Sequence, residues 1–293
     1  MPDDEELPLL PPELERYVFE IAVLHHPQCM RRLLPVARRV RIWIEPILYR
    51  SLTIYGIRTE LDLQDPPFRY LMRSAERLLT SKPASFFQAT VRQICFPEFT
   101  HVDRIIDILS VCSGTTSLSL APQASRGGTA LLDALSALPL QRLSAFFSVL
   151  FRSSRTPFTH ALFAHITHIE FHDWRYDGWD AWTGLVQVPH LTHLAFYVGR
   201  ITNEVCVGTL THCTRLAALV LRCERGESHL LQLHRGEGVE LVADPRFVMI
   251  SVQDRLLDWQ MGGRGGRDFW AEADELIVRR RAGLTAQYYI LDS

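Results

Sequence analysis

A skeleton of apolar positions recurs along the chain, and it is clearest in residues 191–196, which read Leu-Thr-His-Leu-Ala-Phe. Its middle apolar position returns at steps of 24, 25, 26, 25 and 25 residues, at Ile94, Leu118, Leu143, Ile169, Leu194 and Leu219. A period of this size with an L-x-x-L-x-L core is typical of a solenoid built from strand-plus-helix units. The pattern therefore predicts one repetitive body over residues 91–253.

Each unit contains a stretch of alternating positions, which indicates a strand. The predicted strands are residues 91–96, 115–120, 140–145, 166–171, 191–196, 216–221 and 247–252, the last anchored at Ile250. Amphipathic stretches between them predict helices over residues 102–112, 129–138, 158–164, 180–188 and 203–212. Because a parallel strand needs a crossover of about a dozen residues, we expect an α/β fold: a curved parallel sheet with helices on its convex side.

Alternate strand positions predict an open concave surface. Leu191, Leu194 and Phe196 point toward the core, and the residues between them point away. We expect a protein target to bind this surface, as is usual for solenoids. The expected target-binding residues are Arg142, Phe146, His168, Glu170, His172, His193, Tyr197 and Arg222. Two other interpretations stay open: a divalent metal held by histidines and Glu170, and an ordinary solvated sheet face.

Shorter apolar patterns flank this body. Three helices are predicted in the first fifty residues: one over residues 14–21 that ends before Pro27, one over residues 30–40 and one over residues 43–52. Residues 53–90 predict a connector with helices over residues 68–79 and 84–89. Residues 254–293 predict a helical cap that closes the array, with Asp268 as an N-cap and a helix end just before Gly283.

Composition narrows the functional classes. The 293 residues are 47% hydrophobic, enough for a large core, and the net charge of −2 argues against a basic nucleic-acid-binding surface. No apolar run of 18 residues occurs and the first residues are acidic, so we expect no membrane association and a cytoplasmic or nuclear location. The six cysteines are too widely spaced for a metal motif and are expected to be free thiols.

Catalytic signatures are missing from the sequence. It contains no G-x-S-x-G elbow, no C-x-x-C and no glycine-rich nucleotide fingerprint after a strand. The Gly262–Gly266 stretch lacks the P-loop spacing, and Asp268 places negative charge where a phosphate would lie. We therefore expect no catalytic residue, no metal and no cofactor.

Residues 8–52 resemble an F-box. Residues 10–14 (LPPEL) followed by Val18-Phe19 are similar to the L-P-x-E-[LI]…[IL]-F opening of that family. Residues 36–41 and 46–50 are similar to its later V-C-R-x-W-R…L-W-R portion, with Ala37 and Val40 where Cys and Trp are common. The wider chain looks like a fungal group of F-box-like proteins with a repeat-bearing body, on the strength of residues 81–87 and 258–270.

The resemblance implies an F-box-like helical segment (1–52), a helical connector (53–90), a leucine-rich-repeat-like solenoid (91–253) and a C-terminal helical cap (254–293). It implies that the first segment docks the Skp-type adaptor of a cullin–RING ubiquitin ligase through Leu10, Pro11, Leu14, Val18 and Phe19. The solenoid would then recruit a target protein. Two alternatives remain: an interaction scaffold whose N-terminal helices only cap the repeats, and a metal-dependent enzyme.

Overall fold

The computed structural model describes residues 10–26, 29–56, 69–121, 128–173, 178–197, 201–224, 241 and 243–290. These residues form an α/β fold around one parallel sheet, with the strand order β10-β9-β8-β7-β6-β5-β4-β3-β1-β2. The strands are β1 (Ser51–Tyr55), β2 (Arg69–Leu71), β3 (Gln93–Phe96), β4 (Ser117–Leu120), β5 (Arg142–Ala145), β6 (His168–Phe171), β7 (His193–Tyr197), β8 (Ala218–Glu224), β9 (Phe247–Val252) and β10 (Tyr289–Ile290).

Helices precede, connect and follow these strands. They are α1 (Pro12–His25), α2 (Met30–Leu33), α3 (Arg38–Tyr49), α4 (Met72–Thr80), α5 (Ala84–Thr90), α6 (Val102–Val111), α7 (Gly128–Ser136), α8 (Phe147–Leu150), α9 (Asn203–His212), α10 (Arg255–Gly263) and α11 (Phe269–Arg281). Within the described ranges, none is both long and apolar enough to cross a bilayer. All six cysteines are free thiols, as predicted.

The repeated anchors lie side by side in the sheet. The pairs are Ile94 with Leu118, Leu118 with Leu143, Leu143 with Ile169, Ile169 with Leu194, and Leu194 with Leu219. All of them are buried in one core that also takes in side chains of the connecting helices. We call this side of the sheet the first face and the opposite side the second face. The predicted strands between residues 91 and 221, and their parallel order, are confirmed.

Shared acceptors fix the register at the start of the central strands. The carbonyl of Gln141 accepts the N–H groups of Thr167 and His168 at 2.8 and 3.0 Å, and the carbonyl of Thr167 accepts those of Thr192 and His193 at 2.9 and 3.0 Å. The hydroxyls of Thr167 and Thr192 donate to the same two carbonyls. Because a slip of one residue would break these bonds and exchange the two faces, His168 and His193 are held next to each other on the second face.

The sheet begins earlier than predicted. Leu52 pairs with Ile94, so β1 is the direct neighbour of β3, and β2 pairs with β1 on its outer side. The third predicted helix is therefore wrong at its end, because Leu52 lies in a strand. The alternation of Leu52 and Ile54 fits a strand, but Leu52 lies 42 positions (94 − 52) before Ile94 and outside the repeat period. Residues 57–68 of the predicted connector lie outside the described residues.

Four further predicted helices differ in the structure. The helix expected over residues 68–79 starts only at Met72, because residues 69–71 form β2. The helix expected over residues 30–40 is split, because Pro35 has no N–H to continue α2, and α3 starts only at Arg38. In place of the helices expected over residues 158–164 and 180–188 there are short 3₁₀ turns, Ala161–Phe163, Trp179–Ala181 and Thr183–Gln187. At Gly184 an added Cβ would lie 2.8 Å from the Phe158 ring, so this turn packs tightly against the core.

The anchor predicted for β9 is wrong. Leu219 pairs with Phe247, and Ile250 pairs with Arg222. Phe247 and Met249 therefore lie in the first-face core, whereas Ile250 lies on the second face. The strand is buried at every position, so its apolar run shows no alternation from which the phase could be read.

The C-terminal helices cover the second face. Asp268 accepts the N–H of Ala271 at 3.0 Å as the N-cap of α11, which ends just before Gly283, so this predicted helix is confirmed. α11 packs on β8 and β9, and α10 reaches β1, where Gln260 Nε2 donates to Thr53 Oγ1 at 3.0 Å. The predicted open concave surface is therefore wrong: the sheet is covered on both faces.

Candidate functional site

A buried ion pair lies at the centre of the second face. Arg222 on β8 donates through Nη1 to Glu170 Oε1 at 2.7 Å and through Nη2 to Tyr197 Oη at 2.8 Å. Glu170 and Arg222 are only 4% and 1% exposed. Burial by itself would raise the pKa of Glu170, but Arg222, His172 and Arg255 hold that pKa well below its ordinary value. Glu170 is therefore ionised near neutral pH.

Ser144, His172 and Glu170 are in contact, but not as a catalytic relay. His172 Nε2 lies 2.7 Å from Ser144 Oγ and 3.4 Å from Glu170 Oε2. In a Ser-His-acid relay the acid holds the other ring nitrogen, whereas both neighbours here face Nε2. Burial, followed by the charge of Arg255, lowers the pKa of His172 to about 4. The ring is neutral at pH 7 and belongs to a packed network rather than to a nucleophilic site.

Arg255 joins this network from α10. Its Nη2 lies 3.1 Å from Ser119 Oγ, 3.2 Å from Ser144 Oγ and 3.0 Å from His172 Nε2. The neutral imidazole accepts from the guanidinium, and the two hydroxyl oxygens offer further acceptors. Arg255 is 83 residues from the nearest of these partners in the chain, so no spacing in the sequence signals the contact.

His168 and His193 form a stacked pair beneath α11. Their ring centroids are 4.0 Å apart with an interplanar angle of 3°. Trp270 meets both rings edge-on, and His193 Nε2 lies 3.0 Å from Asp274 Oδ1. Burial, followed by the charges of His193 and Arg142, lowers the pKa of His168 to about 2. Protonating His168 would therefore oppose the packing of α11.

We expect stability to fall as the pH is lowered from 7 to 5, with His168 responsible for part of the loss. The unfolded chain takes up a proton near pH 6.5, whereas folded His168 stays neutral until about pH 2. Its contribution is thus present above pH 6.5 and is lost below it, at about 1.4 kcal/mol per pH unit. Urea unfolding at both pH values should show a smaller loss for His168→Gln than for the wild type. His26→Gln, at an exposed position, is the control, and equal losses in all three proteins would contradict the assignment.

A metal centre has no support from this geometry. Across the described part of the chain, no group of three or more His, Cys, Asp and Glu side chains is placed to hold a metal ion. His168 turns Nδ1 to Thr167 Oγ1 at 2.8 Å, and His193 turns Nδ1 to Thr192 Oγ1 at the same distance. These nitrogens are thus occupied by the threonines at the strand starts.

The eight predicted target-binding residues do lie together on the second face. Arg142 pairs with Asp268 at 2.8 Å, and the Phe146 ring lies 5.3 Å from that of His172. The expected exposure is wrong for the four that are buried, because α10 and α11 cover them: Glu170, His172, Tyr197 and Arg222. A role of this surface in target binding stays a prediction. Its partners Arg255, Trp270 and Asp274 were not among the predicted residues.

The first helix leaves one side uncovered. We call the exposed apolar side chains of Leu10 and α1 the N-terminal apolar surface: Leu10, Leu14, Tyr17, Val18, Ile21 and Leu24, which are 37–61% exposed. Leu14, Val18, Ile21 and Leu24 follow one another at steps of three or four residues, and Tyr17 lies one turn from Leu14 and Ile21, so they share one stripe of the helix. The opposite side of α1 packs through Val23 on Met30, Val40, Ile44 and Leu48. The three N-terminal helices thus have their own small core and an unburied apolar stripe.

Four of the five predicted adaptor-binding residues are exposed: Leu10, Pro11, Leu14 and Val18. Phe19 is partly buried instead, with its ring centroid 6.4 Å from that of Trp43. Arg39 donates through Nε and Nη2 to Glu15 at 2.8–3.1 Å and so ties α1 to α3. Phe19 therefore packs inside the three-helix unit, whereas the other four predicted adaptor-binding residues are exposed to solvent.

Comparison with known proteins assigns no function to the second face or to the N-terminal apolar surface. No protein-family model matches the chain, and no curated protein matches it.

Proposed function

We propose that the chain is a substrate-recruiting, F-box-like subunit of a cullin–RING ubiquitin ligase. In this proposal the N-terminal apolar surface docks a Skp-type adaptor, and the repeated strands and helices form a leucine-rich-repeat-like solenoid that recruits a target protein. The observation that carries the proposal is the exposed stripe on α1, which coincides with the residues that resemble the F-box opening.

The stripe has the properties of a docking helix. Leu14 and Val18 are one helical turn apart and are 52% and 53% exposed. Contiguous exposed apolar patches on a protein surface commonly mark binding sites, and an amphipathic helix typically lays such anchors into an apolar groove of its partner. The small core behind α1 and the Arg39–Glu15 pair fix the orientation of the stripe. In this proposal Phe19 shapes the helix without touching the adaptor.

Leu14→Asp is expected to weaken adaptor binding by about tenfold or more, because it would place an unpaired charge in an apolar interface. The measurement is surface plasmon resonance of the full chain on an immobilised Skp-type adaptor. Leu257→Asp is the matched control, since Leu257 is also 52% exposed but lies on α10. Both variants should keep the thermal unfolding midpoint of the wild type, and Leu257→Asp should keep its affinity. A wild-type chain that does not bind the adaptor would rule out the ligase assignment.

An interaction scaffold with an N-terminal cap is the second candidate function. It is favoured by the join between α3 and the first-face core, where Tyr49 meets Phe86 and Phe87 edge-on at 5.6 and 6.0 Å. The N-terminal helices then shield the end of the repeats, which terminal units of such arrays require. A folded wild-type chain that does not bind the adaptor would leave this candidate.

A further inference from the structure

The second face has two halves of different chemistry. Under α11, strands β7 to β9 present an apolar half: Ala195, Ala218, Val220, Val248, Ile250 and Val252. Under α10, strands β1 and β3 to β5 present a polar half: Thr53, Gln93, Ser117, Ser119 and Ser144. Uncovering the apolar half would cost hydrophobic burial. In the polar half, water can replace the lost hydrogen bonds at little cost.

The two covering helices are attached differently. α11 buries five side chains against the sheet and the covering core: Phe269, Trp270, Ala273, Leu276 and Ile277. α10 buries only Gln260. Hydrogen bonds connect α10 to the sheet: Arg255 to Ser119, Ser144 and His172, Gln260 to Thr53, and Gln93 Nε2 to the Trp259 carbonyl at 2.7 Å. Of its side chains only Gln260 is fully buried, so α10 is held largely by these polar contacts, together with Asp258 Oδ1, which accepts the N–H of Phe269 at the start of α11 at 2.8 Å.

The segment that carries α10 has a residue at each end that can act as a hinge. Gln253 is exposed directly after β9, and Gly265 adopts a φ of +83° between α10 and α11. Such a φ favours glycine, which changes conformation at little steric cost. At Gly263 the helix lies so close to the sheet that an added Cβ would be 1.2 Å from Gln93 Oε1. A side chain at this position would displace the Gln93 amide, whose Nε2 holds α10 through the Trp259 carbonyl.

We propose that the polar half of the second face is the target-binding surface and that α10 occupies it as an internal substitute for the target. The target segment is a helix that presents an arginine in the position of Arg255. This inference rests on the proposed function, because it names the class of protein that the ligase subunit recruits.

The acceptors around Arg255 define the chemistry of the target. Two serine hydroxyls and the neutral ring of His172 surround its Nη2 within 3.2 Å. All three accept hydrogen bonds from a guanidinium, and arginine keeps its charge when it leaves water. Thr53 and Gln93 lie further along the face and bind the amide of Gln260 and the carbonyl of Trp259. A target helix therefore needs an arginine and, about one and a half turns on, an amide side chain.

A labelled peptide with the sequence of residues 253–264 tests this in the full chain. In the release variant Arg255→Ala/Gly263→Val, α10 loses its guanidinium and its hydrogen bond from the displaced Gln93 amide. The peptide should bind this variant and not the wild type, and a peptide with alanine at the position of Arg255 should bind about tenfold more weakly. Arg255→Ala/Gln260→Ala is a second release variant, and Leu257→Ala, on the exposed side of α10, is the control that should bind no peptide. Binding is measured by fluorescence anisotropy.

Hydrogen exchange decides whether the release is local. In both release variants the amides of α10 should exchange faster, whereas those of α11 should stay protected as in the wild type. Joint loss of protection in α10 and α11, equal binding of the two peptides, or no binding once the α10 amides exchange freely would each overturn the inference. The Skp-type adaptor is proposed to bind the N-terminal apolar surface, so its binding is measured independently of peptide binding. Peptide binding without adaptor capture would thus remove the ligase assignment and keep the second face as a binding surface.

Discussion

Arg222→Ala is expected to lower the free energy of unfolding by about 3–5 kcal/mol, because it leaves the carboxylate of Glu170 buried without its partner. The pair is formed at 2.7 Å by side chains that are 1% and 4% exposed. The same substitution removes the hydrogen bond to Tyr197 Oη and the contact of the guanidinium with the Phe269 ring, 5.1 Å away. Urea unfolding at pH 7 measures the loss.

Two further variants distinguish the cost of leaving a charge buried without a partner from the cost of losing an ion pair. Arg267→Ala breaks the pair with Glu275, in which the side chains are 65% and 51% exposed, and should cost no more than about 1 kcal/mol. In Glu170→Gln/Arg222→Met neither charge of this pair remains buried, so the double variant should be more stable than Arg222→Ala alone. A cost for Arg222→Ala that is no larger than that of Arg267→Ala would show that Glu170 is not held as a buried charge.

Leu194→Ala is expected to destabilise the chain by about 2–5 kcal/mol, and Leu194→Asp to prevent folding. Leu194 is fully buried between Ile169 and Leu219 on the first face. Truncation there removes apolar contacts and leaves a cavity that the neighbouring strands fill only in part. A carboxylate at the same position would be buried without a partner. Urea unfolding and circular dichroism measure the two effects.

Leu284→Ala is the control for this position, since Leu284 is 73% exposed. We expect its unfolding free energy to lie within about 0.5 kcal/mol of the wild type, as for most surface substitutions. If Leu194→Ala were as mild as Leu284→Ala, the anchors would not be the residues that hold the sheet together.

The parallel sheet was predictable because its signal is local and repeated. Each of the six anchors from Ile94 to Leu219 sits in a short alternating stretch, and the nearly constant step between them implies neighbouring strands. β1 and β9 show where this reasoning stops. Leu52 lies outside the period, and β9 is buried on both sides, so Ile250 was assigned to the wrong face.

The second face was less predictable than the first. The sequence identifies Glu170, His172 and Arg222 as neighbours on one face, and their side-chain contacts confirm it. A polar side chain has the same position in the alternation whether it meets water or another helix, so its burial is invisible to the pattern. The partners that bury this face, such as Arg255 and Trp270, come from a segment that follows the repeats and has a periodicity of its own.

Because α11 covers the second face and follows the strands in the chain, it also determines when the fold can be completed during synthesis. From β4 to β10 each strand pairs with the one before it in the chain, so this part of the sheet can extend as it leaves the ribosome. Val220 and Ile250, however, remain bare until α11 has been synthesised. At about 5–20 residues per second, this exposure lasts seconds, and it places the most aggregation-prone moment of biosynthesis just before residues 269–281 emerge.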